Sequence, residues 1–444
     1  MGDDATEHGT STRRDAIRYT GALLGGGLLA GCTGDGNTGS PTGTADPNAE
    51  STDAGSPTGT ADPNAESTDA GSPTGTADPN AESTDAPDPA STDATEIPGS
   101  YEACIEPAGC LTFESVPETY VVYNGGWADM AFALGQREGF LTAGNMIPGF
   151  FFEPFGLEVP PEDELASFWQ NGGWSKEVFL ELDPDVILMD PNYMHGVGWD
   201  DSWDEDDTED LAEQVAPFFG NNSRRRREFH DYKLYSLYGA FERLADLFQE
   251  RDRYEAFKSI HDDLQRKIDS RTPEEAPTIG LINGGSDPSK GEFFPLDPRG
   301  EGYEMKPYRD LGVESAFPDD LEGGQADYET MLEVDPEIIV VHWGIGTTGG
   351  TGSFSAEAFR EQYVTPMEED TVGNQLTAVQ EGNVYPGQYG EQGPIVNLLQ
   401  TEMVVQQLYP DEFGAFAPDA FPEVPEDRRL FDRERVREII AGEI

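Results

Sequence analysis

Four consecutive arginines stand in the stretch "NNSRRRREFHDY" at 221–232, in a chain with 27 Lys and Arg against 87 Asp and Glu. Guanidinium forks grip carboxylate, catecholate or hydroxamate oxygens in bidentate pairs and stack on flat ligands. At 1 M salt the Debye length is ~3 Å, so the run works by contact and steers nothing from afar. Neighbouring side chains cannot all point one way. One or two of Arg224, Arg225 and Arg227 are therefore expected at a ligand. The rest should pair with nearby carboxylates, including those of the 200–210 loop. Arg299 is a second candidate of the same kind.

The remaining candidates are mostly aromatic. Asn124, Trp127, Trp174, Tyr193, His195, Phe294, Tyr303, Trp343 and Tyr389 lie in loop segments, several of them Gly-rich. Examples are "NGGW" (124–127 and 171–174), "YMHGVGW" (193–199), "HWGIGTTGG" (342–350) and "GQYGEQG" (387–393). Flat aromatic walls suit a large, partly apolar ligand. His195, His230, His261 and His342 form no close pair, so no protein-held metal is expected. No GxSxG, HExxH or Ser/His/Asp arrangement stands out, so neither an enzyme nor a catalytic residue is expected. "WDDSWDEDDTED" (199–210) lacks His and the sixth-position Gly of a calcium loop, and reads as a solvated loop.

The elements that must position these residues begin after a long leader. Arg13 and Arg14, the short apolar run 19–31 and Cys32 read as a Tat-type export signal ending in a lipobox, "LAGC". Cys32 is then lipidated, and residues 1–31 leave the mature protein. From 40 a 16-residue unit, "SPTGTADPNAESTDAG", repeats without any apolar residue larger than Ala, which makes 33–100 a disordered tether. Cys104 and Cys110 form either a disulfide, plausible outside the cell, or two free thiols. A formal charge of −60 with plentiful aromatics fits a folded, halophile-type surface and excludes nucleic acid as partner.

The globular part has a repeated grammar. "FLELDPDVILMD" (179–190) and "MLEVDPEIIVVH" (331–342) each break a helix at Asp-Pro and enter a β-branched run. "YVVYNGG" (120–126) and "IGLINGG" (279–285) form a second pair. Between the halves, apolar spacing from Leu234 to Ile268 predicts a helix which, if unbroken, is roughly 55 Å long. The expected fold is α/β: two Rossmann-like lobes with mostly parallel sheets, joined by one long α-helix, with the ligand cleft between them. The expected bounds are 1–32 signal and lipobox, 33–100 linker, 101–233 first lobe, 234–271 inter-lobe helix, 272–410 second lobe, and 411–444 a tail with a short helix. Ligands in such sheets bind beyond the carboxyl ends of the strands.

This order of signal, tether and paired lobes resembles the class III substrate-binding lipoproteins of ABC importers, the iron-siderophore, haem and cobalamin receptors. The likeness spans 117–410. "LELDPDVIL" resembles the family's L-x-P-D-[LV]-[IV] strand, and "LTAVQEGNVYP" (376–386) its A-V-x-x-G-x-V-Y segment. The first strand exit, "NGGWADM", departs from the usual Asp-x-x. The resemblance implies a monomer that captures a ferric siderophore-type chelate as cargo, with no cofactor, and passes it to an ABC permease and its ATPase. Cobalamin or haem is the alternative cargo, and Tyr193 and His195 are of the types that ligate haem iron. A secreted hydrolase and a stalked adhesion or sensory module are the more distant alternatives. Glu314 in "LGVESAF" matches a family permease-docking glutamate, although Val and Ser replace flanking Gly and Asn. Its first-lobe counterpart lies within 205–213.

Overall fold

The computed structural model describes residues 99–142, 144, 146–160, 165–273, 277–347 and 353–444. The twin arginines, Cys32 and the repeats lie outside the described residues. The chain opens with an antiparallel hairpin, β1 (Tyr101–Ile105) and β2 (Gly109–Phe113), across which Cys104 and Cys110 form a disulfide. The first parallel sheet has β3 (Tyr120–Val122) between β4 (Phe140–Thr142) and β7 (Val186–Leu188). A parallel bridge from Ile187 to Phe218 adds a fourth segment. Two residues fix the small hairpin of β5 (Trp169–Gln170) and β6 (Gly173–Trp174). Asn171 and Gly172 both take positive φ, 52° and 84°, as a two-residue turn between twisted strands requires.

The second sheet has β8 (Thr278–Asn283) between β9 (Glu314–Ser315) and β10 (Ile339–His342), with β11 (Val384–Pro386) beyond β10. Both sheets thus run second–first–third–fourth in their own strand order. Val121, Val122, Ile187, Leu188, Val340 and Val341 are fully buried, as strands covered on both faces require.

Helix α1 (Gly125–Ala133) follows β3 directly. The Asp-Pro breaks have one geometry. Helix α2 (Lys176–Leu182) ends at Asp183 with φ 45°, and its counterpart Tyr328–Val334 ends at Asp335 with φ 44°. Each aspartate takes the left-handed turn, and the following proline bars continuation into the helix.

Two expectations are corrected. The acidic segment expected as a solvated loop contains helix α3 (Glu205–Gln214), started by a capping box between Asp204 and Asp207. The single inter-lobe helix is two, α4 (Leu237–Phe248) and α5 (Arg251–Asp269). Gln249 takes a left-handed φ of 56° and returns its N–H to the carbonyls of Ala245 and Asp246. Phe241 then packs on Tyr254 and Phe257, ring centroids 5.4 and 6.0 Å away, so the chain folds back on itself. The apolar spacing persists through the break because the two helices bury their stripes against each other. The 19 residues of α5 alone span about 28 Å.

Helix α6 (Pro394–Leu408) is buried along its whole length. Its first turn is capped from α1, where Asp129 accepts the N–H groups of Gly393, Ile395 and Val396 at 2.6, 3.1 and 3.0 Å. Helix α7 (Arg433–Ala441) packs against α1 and α5, with Val436 and Ile439 fully buried. Arg433 is ion-paired to buried Glu402 of α6, and Phe431 stacks on Phe155. The 411–444 segment therefore contributes to the core, through Phe413, Phe421, Leu430, Phe431, Val436 and Ile439.

Candidate functional site

The arginine run leaves the first sheet through the Phe218 segment and is held by its backbone. Asn221 Nδ2 donates to the carbonyls of Glu106 and Lys233 at 2.8 and 2.9 Å. Asp190, two residues past β7, accepts the Asn222 N–H at 2.8 Å and the Tyr232 hydroxyl at 2.7 Å. Burial pushes the Asp190 carboxyl up to about 6, although Tyr232, Asn222 and Asn192 donate to it.

So fixed, the run meets the second lobe main chain to main chain. Tyr303 N–H donates to Ser223 O at 2.9 Å, and Glu304 N–H to Arg224 O at 3.1 Å. This approach needs Gly302, at φ 94°, where a Cβ would stand 2.2 Å from Arg224 O.

Arg224 is buried, with 7% exposure, and forks two carboxylates of the second lobe. Nη2 lies 2.7 Å from Glu304 Oε1 and Nη1 3.0 Å from Glu391 Oε1, with the guanidinium 4.9 Å from the Trp343 ring centroid. Glu391 also accepts from Asn124 Nδ2 at 3.0 Å, Gly126 N–H at 3.2 Å and the Tyr303 hydroxyl at 2.7 Å. His342 Nε2 lies 3.2 Å from Glu304 Oε1. Burial alone would raise the Glu304 carboxyl, but Arg224 and then His342 hold it well below the usual carboxylate range. Burial likewise works against the Arg224 charge, and Glu304 and Glu391 hold its pKa above the ordinary value.

The other arginines divide. Arg225 is exposed, with one longer contact, Nε to Glu304 Oε2 at 3.5 Å. Arg226 pairs with Glu301. Arg227 donates its backbone N–H to His230 Nδ1, and its Nε is buried without a hydrogen-bond partner among the described residues. None of these ion pairs uses the 200–210 segment, whose Asp207 and Asp210 take Lys176 at 2.7 and 3.0 Å. A cavity of about 400 Å³ opens beside the network. It is lined by Arg224, Arg225 and Arg226 from the first lobe and by Asn283, Leu296, Asp297, Glu301, Glu304, Met305, His342 and Trp343 from the second.

Of the residues singled out from sequence, Asn124, Arg224, Arg225, Tyr303 and Trp343 gather at this network or cavity. Tyr389 stands behind Trp343, centroids 4.5 Å apart, with its hydroxyl on Met146 O. Trp127 is a buried support that donates Nε1 to Asn221 O. Trp174 and Tyr193 pack with Tyr123, centroids 5.2 and 5.4 Å away, in the first-lobe core. His195 contacts Thr208 of α3. Phe294 is half-buried and outside the cavity lining. Arg299 is engaged at the surface by Asp297, Asp319, Glu322 and, at 3.8 Å, exposed Glu314.

Sequence reasoning passed over Glu304, Glu391 and the role of His342. The available signal was indirect: a buried arginine needs carboxylate partners, and Glu391 sits in a Gly-rich strand exit opposite the run.

Two parallel α/β sheets whose strand exits meet around a cavity give the architecture of a solute-binding protein. A family model described as periplasmic binding protein matches residues 159–388, and the chain belongs to that family. Its members are substrate-binding proteins that serve ABC permeases. Several solved structures are similar to the chain at low identity. A periplasmic binding protein from Veillonella parvula is 14% identical, covering 70% of this chain and 98% of its own, with TM-score 0.49. The iron uptake ABC transporter substrate-binding protein PiuA from Streptococcus pneumoniae is 16% identical, covering 70% and 100%, with TM-score 0.47. The periplasmic vitamin B12 binding protein BtuF of Vibrio cholerae is 15% identical, covering 66% and 97%, with TM-score 0.45. None of the curated proteins matches the chain. Among the described residues no helix is long and apolar enough to cross a membrane.

Proposed function

We propose that the protein is a Tat-exported receptor, anchored through lipidated Cys32, that captures a ferric siderophore-type chelate and delivers it to an ABC permease and its ATPase. The reading is carried by the inter-lobe cavity. Its volume of about 400 Å³ is at the compact end of the 300–1,000 Å³ usual for ligand pockets, which suits a folded chelate better than a corrin. Guanidinium donors on one wall and Trp343 on another supply oxygen-directed hydrogen bonds and a flat apolar contact. Glu314, exposed on β9, is the proposed second-lobe contact for the permease, and a residue of α3 its first-lobe partner.

The test is the absorbance and native mass of the protein purified from its own host. A charge-transfer band with the mass of an iron-loaded chelate supports the reading. A Soret band or a corrin spectrum refutes it.

A further inference from the structure

The arginine run looks like an anion trap in the sequence, but its charge is largely spent inside the protein. Three guanidinium groups line the cavity, Arg224, Arg225 and Arg226, and so do three carboxylates, Asp297, Glu301 and Glu304. Arg224 is forked by Glu304 and Glu391, and Arg226 is paired with Glu301. Asp297 is held in turn by Arg299, just outside the lining, at 2.7 Å. With His342 counted neutral, the walls carry no net charge. Of the three lining arginines, Arg225 is the one whose single carboxylate contact is as long as 3.5 Å.

A ligand must match that balance. Charges inside a cavity are screened by salt much less than exposed ones, so brine does not remove the mismatch. A polyanion would bring its charge against Glu301 and Glu304 as well as against Arg225, and like-charge contacts discriminate strongly. Ferric iron held by three hydroxamates is neutral, whereas three catecholates leave the complex trianionic.

We propose that the cavity selects an uncharged ferric chelate of the tris-hydroxamate type over a tris-catecholate, and that Glu301 and Glu304 set this preference by neutralising the arginine run. The inference rests on the chelate reading above. It makes the two glutamates specificity residues even though neither is suited to donate to the ligand.

The experiment is isothermal calorimetry on the full mature chain in molar salt. The probes are the iron(III) complex of a linear tris-hydroxamate and that of a tris-catecholate. The wild type should bind the hydroxamate at least about tenfold more tightly. Glu304→Gln should shift the ratio of the two dissociation constants toward the catecholate by about tenfold. The exposed Glu301→Gln, which removes a surface ion pair of little weight for stability, should shift it the same way by about threefold. If Glu304→Gln fails to fold, the direction of the Glu301→Gln shift decides. Tighter binding of the catecholate by the wild type, or a ratio unmoved in the folded variants, overturns the charge rule alone. Binding of neither chelate overturns the chelate reading and this inference with it.

Discussion

Replacing Arg224 by methionine removes a buried cation that joins the two lobes. The guanidinium forms charge-assisted bonds of 2.7 and 3.0 Å to Glu304 and Glu391, carboxylates with 4% and 0% exposure. Taking away one partner of a buried ion pair costs ~3–5 kcal/mol, because the other charge is left without compensation. Two circumstances point to the lower end. Glu391 keeps Asn124, Gly126 and Tyr303 as donors, and Glu304 keeps His342 and the longer contact to Arg225. We therefore expect a loss of about 3 kcal/mol near neutral pH, read as a lower urea midpoint with an unchanged slope. The loss has a pH signature. Because the folded-state pKa of Glu304 is depressed, its stabilisation is present above the unfolded value of 4.5 and is lost as pH falls. The gap between wild type and variant should be widest at neutral pH and shrink below that value. Adding Glu391→Gln to the variant should recover part of the loss, a coupling of ~1–3 kcal/mol. A gap under about 1 kcal/mol, or one that does not change with pH, would refute the interface as a buried ionic clasp.

Asp129 gives the opposite slope. Burial pushes its carboxyl up to about 7 from 3.8 despite the three backbone donors of α6. The folded state therefore holds the proton more tightly, and this stabilisation is lost as pH rises through that window. Asp129→Asn should flatten the dependence there, as urea midpoints at several pH values will show. Ile439→Ala, at a fully buried position of α7, should cost ~2–5 kcal/mol by thermal or urea unfolding. Gly302→Ala should part the loop pair, with faster hydrogen exchange at the amides of Tyr303 and Glu304, since a Cβ cannot share space with Arg224 O. Cys32→Ser should move the protein from the membrane fraction to the soluble one, and unchanged fractionation would count against lipidation at that residue.

The parts of the fold that were legible are those in which local chemistry decides. Asp-Pro followed by a β-branched run admits few backbones, and both copies, at Asp183 and Asp335, adopt the same left-handed stop. The four letters "NGGW" show the limit of such reading. At 124 they open a helix beneath the inter-lobe network, and at 171 they close a hairpin, because Gln170 can pair with Gly173 across two residues and Trp169 with Trp174 beyond them. The break at Gln249 was not legible. Neither Gly nor Pro marks it, and apolar periodicity is the same for a straight helix as for two that fold together. The site was half visible. A run of arginines announces itself in an acidic chain, but which of 87 carboxylates meets Arg224 depends on a separation of 167 residues to Glu391.

The position of α7 bears on how the molecule is made. Helix α1, near the start of the globular part, is covered by residues 433–441 at the end of the chain, and α6 is clasped there through Glu402 and Arg433. The first lobe therefore has no finished core of its own while the chain is being synthesised, and cannot fold as an early, independent unit. Contacts of such long sequence separation also slow folding. Without residues 431–441, Phe155, α1 and a buried glutamate would be uncovered, and the molecule would expose apolar surface that these residues now hide.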